Sequence, residues 1–196
     1  MKKIITFLFL IITICSTSVF AFEKKAETFV LETTKNAKSI ILDSGLNENQ
    51  KRTKLEKLAL DAVDVAGLAR YTLGEEAKNL SDKQISEFVS TFKIFFSKNI
   101  SNKLKDYSDQ NVKVVGSKKI SENYVLVDSK IVSTKDKQEI SVEWRVFLID
   151  NKLIIRDLVV EGLSLARTQR EEFSSIIANK GFAALIQSLK EYISKN

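Results

Sequence analysis

Two neighbouring apolar segments place the strongest constraint on how this chain can fold. Residues 140–149 and 153–160 are joined by Asp150-Asn151-Lys152 and followed by Glu161-Gly162-Leu163-Ser164. A strand with one face in water normally alternates between apolar and polar residues. Both segments carry more large apolar side chains than such alternation allows, so we expect apolar material on more than one side of this hairpin. The pattern leaves open whether that material is protein core or bound ligand.

The rest of the chain changes its hydrophobic period twice, from helical to alternating and back. A capping box, Ser81-Asp82-Lys83-Gln84, marks the start of the best-defined helix, which is rich in phenylalanine. The predicted helices occupy residues 22–43, 47–63, 64–72, 81–107, 164–178 and 182–193. The predicted strands occupy residues 112–120, 124–132, 140–149 and 153–160. This order predicts an α+β domain, in which N- and C-terminal helices cover a four-stranded antiparallel meander.

The N-terminus has the features of a secretory signal peptide. Lys2 and Lys3 precede an apolar run over residues 4–14, and small residues follow up to Ala21. The run is shorter than the ~20 residues that span a bilayer. Cys15 raises the alternative of a lipid-modified N-terminus, but the bulky Ile14 stands where such a site requires a small residue. We therefore expect a cleaved signal peptide over residues 1–21 and a single exported domain over residues 22–196.

Histidine and cysteine chemistry are excluded by composition. The chain has no histidine, and its one cysteine, Cys15, lies in the predicted signal peptide. The usual zinc, copper and haem ligands are therefore missing, as is every catalytic triad with an imidazole base. A site made only of carboxylates and a Ser–Lys arrangement stay formally open. The net charge of +6 is modest, and no basic stripe interleaved with aromatic residues indicates nucleic-acid binding.

Asp157 and Glu161 are the best candidates for acid–base catalysis. They lie four residues apart at the end of the last predicted strand, and two carboxylates with different pKa values can share proton-transfer or glycoside chemistry. We favour the alternative that they are structural and form a strand-end ion pair with Arg145 or Arg156. Trp144, the only tryptophan, is expected to be a strand residue whose ring contacts the helices.

Several short motifs occur together in an order that resembles a known family. They are Ala69-Arg70-Tyr71-Thr72-Leu73-Gly74, the phenylalanine-rich helix, Trp144-Arg145, Asp157, Glu161-Gly162-Leu163-Ser164-Leu165, Phe173, Gly181-Phe182, and Leu185 with Leu189. In this order, behind a signal peptide, they resemble the periplasmic phospholipid-binding proteins of the MlaC, or toluene-tolerance, family. The resemblance extends from about residue 29 to residue 189.

The resemblance implies a function and partners that the residue pattern alone does not. It implies a cystatin/NTF2-like roll that holds phospholipid acyl chains between sheet and helices, with the headgroup outside. It also implies exchange with an outer-membrane lipoprotein–porin complex and an inner-membrane ABC transporter bearing MCE-domain rings, which maintains outer-membrane lipid asymmetry. The expected protein is a periplasmic monomer and not an enzyme. It carries phospholipid as cargo, needs no cofactor and binds no nucleic acid.

The carrier hypothesis predicts which side chains contact the lipid. From the sheet side we predict Val127, Ile131, Val142, Val146, Leu158, Val160 and Leu163. From the helices we predict Tyr71, Phe92 and Phe95. Two other classes of function remain as alternatives. One is a structural or adaptor protein with a filled core, and the other is an NTF2-like enzyme that uses Asp157 and Glu161.

Overall fold

The computed structural model describes residues 14–105, 107, 109–135 and 137–196 as an α+β fold, which confirms the predicted class. Its helices are α1 (Ile14–Leu42), α2 (Glu48–Ala62), α3 (Val65–Leu73), α4 (Asp82–Leu104), α5 (Leu165–Lys180) and α6 (Phe182–Lys195), with a 3₁₀ helix over Gly74–Asn79. Its strands are β1 (Gln110–Ser121), β2 (Tyr124–Ser133), β3 (Glu139–Ile149), β4 (Lys152–Val160) and β5 (Leu163–Ser164).

The predicted signal peptide falls mainly on residues 1–13, which lie outside the described residues. Helix α1 begins at Ile14 and continues through the predicted cleavage site after Ala21. Among the helices of the described part, none is both long enough and apolar enough to cross a membrane. The signal peptide remains a prediction.

Side-chain caps mark where four of the described helices begin, and at α5 the cap is the Ser164 hydroxyl. Asn47 and Gln50 form a reciprocal capping box at the start of α2, and Ser81 and Gln84 form the predicted one at the start of α4. At α3, the Asp64 carboxylate accepts a hydrogen bond from the Gly67 backbone N–H. Each cap satisfies backbone donors that a helix cannot pair internally.

The sheet has the strand order β1-β2-β3-β4-β5, and each strand is antiparallel to its neighbours. The four-stranded meander is therefore confirmed, and the short β5 is an addition to it. Two-residue turns close both last hairpins, with positive φ at Asp150 (48°), Asn151 (61°), Glu161 (48°) and Gly162 (81°). Such turns match the twist of the paired strands. The β3–β4 turn is thus one residue shorter than predicted, because Lys152 belongs to β4.

Helix α1 lies along the outer edge of β1 and bonds to it. The Lys119 backbone N–H donates to Glu23 Oε1 (2.7 Å), and the Ser117 hydroxyl donates to Glu27 Oε1 (2.8 Å). Lys38 Nζ donates to the Gln110 carbonyl (2.9 Å). An unpaired strand edge can template association with another chain, and these side chains occupy it.

One face of the sheet is buried and the other is open. On the buried face Val125, Val127 and Val146 pack against Ala26 and Val30 of α1. On the open face the rings of Tyr124 and Phe147 stack with centroids 4.2 Å apart, and the Arg156 guanidinium lies 4.9 Å from the Phe147 centroid. Burial in this stack raises the pKa of Tyr124. Other elements of the fold therefore pack on one face of the last hairpin only. On its second face, stacked side chains of the sheet shield one another from water.

A second core lies among the helices, away from the sheet. Helices α3, α4, α5 and α6 enclose a group of rings that we call the phenylalanine cluster: the buried Phe88, Phe92 and Phe173 and the half-buried Phe95. Phe173 meets Phe88 and Phe92 edge-on, with centroids 5.9 Å and 6.1 Å apart. Edge-to-face pairs of this kind contribute beyond their buried area. The cluster fixes α4 and α5 relative to each other.

Candidate functional site

A cavity of about 410 Å³ lies between β3–β4 and the helices α1, α2, α4 and α5. This volume falls within the range of roughly 300–1,000 Å³ found for small-molecule sites. The lining is mainly apolar and includes Leu58, Val63, Leu68, Phe92, Phe95, Phe96, Ile100, Leu104, Trp144, Ile155, Leu158 and Leu165. The arrangement suits an extended apolar ligand better than a polar one.

The space exists because small side chains face the sheet where large ones would fill it. Ala59 and Ala62 of α2 and Ala166 of α5 are buried and line the cavity. Thr33, Thr34 and Ala37 line it from α1. Close-packed protein interiors leave few voids larger than a water molecule. A gap of this size behind alanines and threonines is therefore a feature of the fold, and an apolar ligand can fill it.

A β-bulge turns the end of β4 toward the cavity. The pairing of β3 with β4 shifts between Arg145 and Val146, which leaves Arg156 as an extra residue on β4. As a result the four consecutive residues 155–158 all line the cavity. In a regular strand only alternate residues would face it.

Trp144 contributes an apolar wall although its ring carries a polar group. The side chain is 8% exposed and lines the cavity. Its indole N–H donates to Ser129 Oγ (2.7 Å), and that hydroxyl donates to the Val142 carbonyl (3.2 Å). Because the N–H is bonded within the sheet, the ring offers hydrocarbon to the cavity.

Charged side chains in the lining differ in whether they are paired. Arg156 is bonded to Asp64 (2.9 Å), and Asp157 forms an ion pair with Arg145 (3.3 Å). Lys103 and Glu172 take part in no ion pair with the described residues, although Glu172 Oε2 accepts a hydrogen bond from Gln169 Nε2 (2.9 Å). Lys103 therefore lies at the exposed edge of the cavity, which we call the rim, and its ammonium group is available to pair with a ligand.

Asp157 and Glu161 are both engaged in holding the fold. Asp157 accepts hydrogen bonds from the Ser164 hydroxyl (2.6 Å) and the Ala166 backbone N–H (2.9 Å). Glu161 accepts from the Ser141 N–H through its carboxylate, and its own N–H donates to the Ser141 carbonyl (3.0 Å). The predicted ion pair of Asp157 with Arg145 is confirmed, whereas the alternative with Arg156 is wrong because Arg156 binds Asp64.

The described residues contain no group of three or more acidic side chains placed to hold a metal ion.

Of the predicted lipid contacts, three side chains lie in the cavity lining: Phe92, Phe95 and Leu158. Phe92 is buried and belongs to the phenylalanine cluster as well. Phe95 is half-buried at the border between cluster and cavity, and Leu158 stands opposite Trp144 in the β3–β4 pairing. Their contact with a ligand remains a prediction.

The other predicted contacts lie elsewhere. Val127, Val142 and Val146 are buried in the core beneath α1, and Ile131 and Val160 pack against that same core. Helix α1 packs against β1 and β2, so Val127 and Ile131 of β2 meet protein there.

Two of the predicted contacts are exposed. Tyr71 is 43% exposed and stacks with the Arg170 guanidinium, which is 5.3 Å from its ring centroid. Leu163 is 63% exposed in β5 and lies outside the lining, next to the rim residue Leu165.

Sequence reasoning missed the residues that make the space. It sought large side chains, whereas Ala59, Ala62 and Ala166 create the cavity by being small. A usable signal was present, because Ala59 and Ala62 lie on the apolar face of α2 that also carries Leu55 and Leu58. Small residues on the buried stripe of a helix indicate either that another element approaches the helix closely or that a void lies beside it.

A family model and a solved structure both match the chain. The family model described as MlaC protein matches residues 28–191, which is most of the chain. The fold is similar to that of a phospholipid-binding protein from Ralstonia solanacearum, solved in complex with a phospholipid. That comparison has a TM-score of 0.73 and 18% sequence identity, and covers 87% of this chain and 97% of that chain. No curated protein matches the chain in sequence. By the extent of the family match, the chain belongs to the MlaC family.

Proposed function

We propose that this protein is a periplasmic phospholipid carrier that holds acyl chains in the cavity between the sheet and the helices. The observation that carries the proposal is the apolar cavity of about 410 Å³, whose walls come from seven elements of the fold, α1 to α5, β3 and β4. Family membership and the phospholipid in the structurally similar Ralstonia protein support the same ligand class.

The energetics of acyl burial explain why such a carrier needs an enclosed apolar space. Burial is worth ~0.8 kcal/mol per CH₂, so two chains of ordinary length cost on the order of 20 kcal/mol to leave in water. Aliphatic and phenylalanine walls recover this energy without requiring a particular chain length. Because few polar groups in the lining are unpaired, little binding energy holds the cargo beyond what a bilayer also provides, and release is possible.

The headgroup has one cationic candidate at the rim. Lys103 lies in the lining near the C-terminal end of α4, is exposed, and has no ion-pair partner among the described residues. An ammonium group in this position can pair with a lipid phosphate. The headgroup would then remain in water while the chains are buried.

The route of the cargo follows from the family resemblance. We propose that the protein, as a monomer, exchanges lipid with an outer-membrane lipoprotein–porin complex and an inner-membrane ABC transporter with MCE-domain rings. Through this exchange it would help maintain outer-membrane lipid asymmetry. Export by the predicted signal peptide would bring the protein to the compartment between them.

The direct test is mass spectrometry of an organic extract of the purified full-length protein. We expect phospholipid near one equivalent per chain. In Ala59→Phe, which places a ring in the cavity, we expect severalfold less lipid, whereas Ala183→Phe, at an exposed alanine of α6, is the matched control and keeps the wild-type amount. Wild-type protein free of phospholipid under several purification conditions would overturn the proposal.

The competing functions predict other results. An adaptor with a filled core would not lose a bound molecule when Ala59 is enlarged. An enzyme that uses Asp157 and Glu161 would need both carboxylates free to exchange protons, yet each is occupied by partners that hold β4, β5 and α5 in place.

A further inference from the structure

Solvent reaches the cavity mainly along the first turns of α5. Of the lining side chains that are exposed, Leu165, Thr168 and Glu172 lie on α5, and Lys103 lies on α4. The fifth, Arg156, is held on β4 by its ion pair with Asp64. The opening, which we call the portal, therefore lies between the N-terminal half of α5 and the C-terminal end of α4.

The two halves of α5 are held in different ways. In its C-terminal half, Phe173, Ile176 and Ile177 pack into the phenylalanine cluster. In residues 165–172 the one buried side chain is Ala166, and that side chain faces the cavity. Where the cavity replaces apolar packing, a segment opens at a lower free energy than a packed one.

Polar bonds that converge on Asp157 hold the first turn of α5, and one turn further on the Arg170 guanidinium stacks with Tyr71 of α3. The two carboxylate oxygens of Asp157 accept from the Ser164 hydroxyl (2.6 Å) and the Ala166 N–H (2.9 Å), and Arg145 pairs with it at 3.3 Å. The Asp157 side chain is 7% exposed. A carboxylate at a helix N-terminus is stabilised by the helix dipole as well as by these bonds. Asp157 thus ties the first turn of α5 to β4.

We propose that Asp157 is the positioning residue that keeps the portal closed and thereby sets the rate of phospholipid exchange. The inference rests on the proposed carrier function and goes beyond it. When the first turns of α5 detach from Asp157, the wall formed by residues 165–172 swings away from α4 and the acyl chains pass between the two helices.

The chain offers a matched control for this role. Asp64 does for α3 what Asp157 does for α5: it caps the helix through the Gly67 N–H (2.9 Å) and pairs with an arginine, Arg156, at 2.9 Å. Yet α3 supplies only Leu68 to the lining. Removing the charge of the cap should therefore change the rate of phospholipid exchange when the cap is Asp157 of α5, and not when it is Asp64 of α3.

The test measures transfer of a fluorescent phospholipid from loaded protein to an excess of empty phosphatidylcholine vesicles. Asp157→Asn removes the charge while keeping the shape, and we expect dissociation to become roughly tenfold faster, since charge-assisted bonds are the strong ones. Asp64→Asn should stay within about twofold of wild type, because the α3 cap that it weakens, and Arg156 of β4 that it also releases, lie away from the portal between α4 and α5. Thermal melting of both delipidated variants shows whether their loss of stability is similar.

A milder variant keeps the test decisive if Asp157→Asn does not fold. Ser164→Ala removes one bond to Asp157 and the cap on the Arg167 N–H, and should speed dissociation severalfold. Unchanged dissociation in the folded Asp157 or Ser164 variant would overturn the proposal, as would equal acceleration in Asp64→Asn. Wild-type protein that holds no phospholipid refutes the carrier function itself, whereas a loaded wild type with unchanged variants refutes only the role of Asp157.

Discussion

The phenylalanine cluster and the cavity are neighbouring apolar regions, and one of them is filled while the other is hollow. They share Phe92 and Phe95, so α4 supplies side chains to both. Around Phe88 and Phe173 the neighbours are other large residues, such as Leu73, Leu185 and Leu189. Facing the sheet, the neighbours are Ala59, Ala62 and Ala166. The contrast teaches that side-chain volume, and not polarity, decides which apolar region of this fold can accept a ligand.

The largest expected effect comes from removing a ring in the filled region. Phe88 is fully buried and contacts Phe92, Phe173 and Phe182. Phe88→Ala should cost ~3–5 kcal/mol in free energy of unfolding. Phe95→Ala, at the half-buried border of the cavity, should cost about half as much. Urea unfolding of delipidated protein measures both values, since bound lipid would add its own stabilisation. Equal costs would mean that the two regions do not differ in packing.

The reverse substitution sharpens the same comparison. Ala69 is fully buried in the filled region, so Ala69→Phe overpacks it and should destabilise the protein by ~1–3 kcal/mol. Ala59→Phe places the same ring beside the cavity, and should change the free energy of unfolding by less than ~1 kcal/mol while lowering lipid content. The comparison fails if Ala59→Phe destabilises the delipidated protein as strongly as Ala69→Phe does.

Trp144 should report the state of the hollow region by its fluorescence. It is the only tryptophan and lines the cavity. Removal of lipid should shift its emission to longer wavelength, because water replaces acyl chain beside the ring. Ser129→Ala removes the acceptor of the indole N–H and should cost ~1 kcal/mol. Emission that is the same with and without lipid would place the ligand away from Trp144.

The smallest expected effect concerns the rim. Lys103 lines the cavity, whereas Lys105, two residues further on, lies beside a smaller polar pocket. Lys103→Ala should weaken binding of an anionic phospholipid by at most a few fold, as expected for an exposed ion pair, and the difference should shrink in high salt. Lys105→Ala is the control and should bind as wild type does. Vesicle transfer assays at two ionic strengths measure both variants.

The elements of the fold were predictable because their signals are local. The capping box at Ser81 and Gln84, the glycine after α5 and the period change near Asp109 all lie within a few residues of the boundaries they mark. The two-residue strand β5 has no such signal. It forms because the left-handed turn at Glu161 and Gly162 lets the chain fold back onto β4.

The cavity lining was predictable only in part, because it depends on contacts between distant segments. Phe92, Phe95 and Leu158 were found by size and apolarity. Val127 and Val146 have the same character, but the position of α1 over the sheet, which no local pattern specifies, buries them in protein. Alternation also fails at the bulge near Arg156, so it could not show which residues of β4 face the cavity.

The contacts of α1 with β1 bear on how the chain can fail to fold. Until Glu23 and Lys38 reach Lys119 and Gln110, the outer edge of the sheet offers free backbone groups to any other unfolded copy. Once α1 packs against β1, this edge is therefore no longer available for aggregation. Since Glu23 would lie one residue beyond the first residue of a chain cleaved after Ala21, even slight trimming of that end would leave the edge exposed for longer.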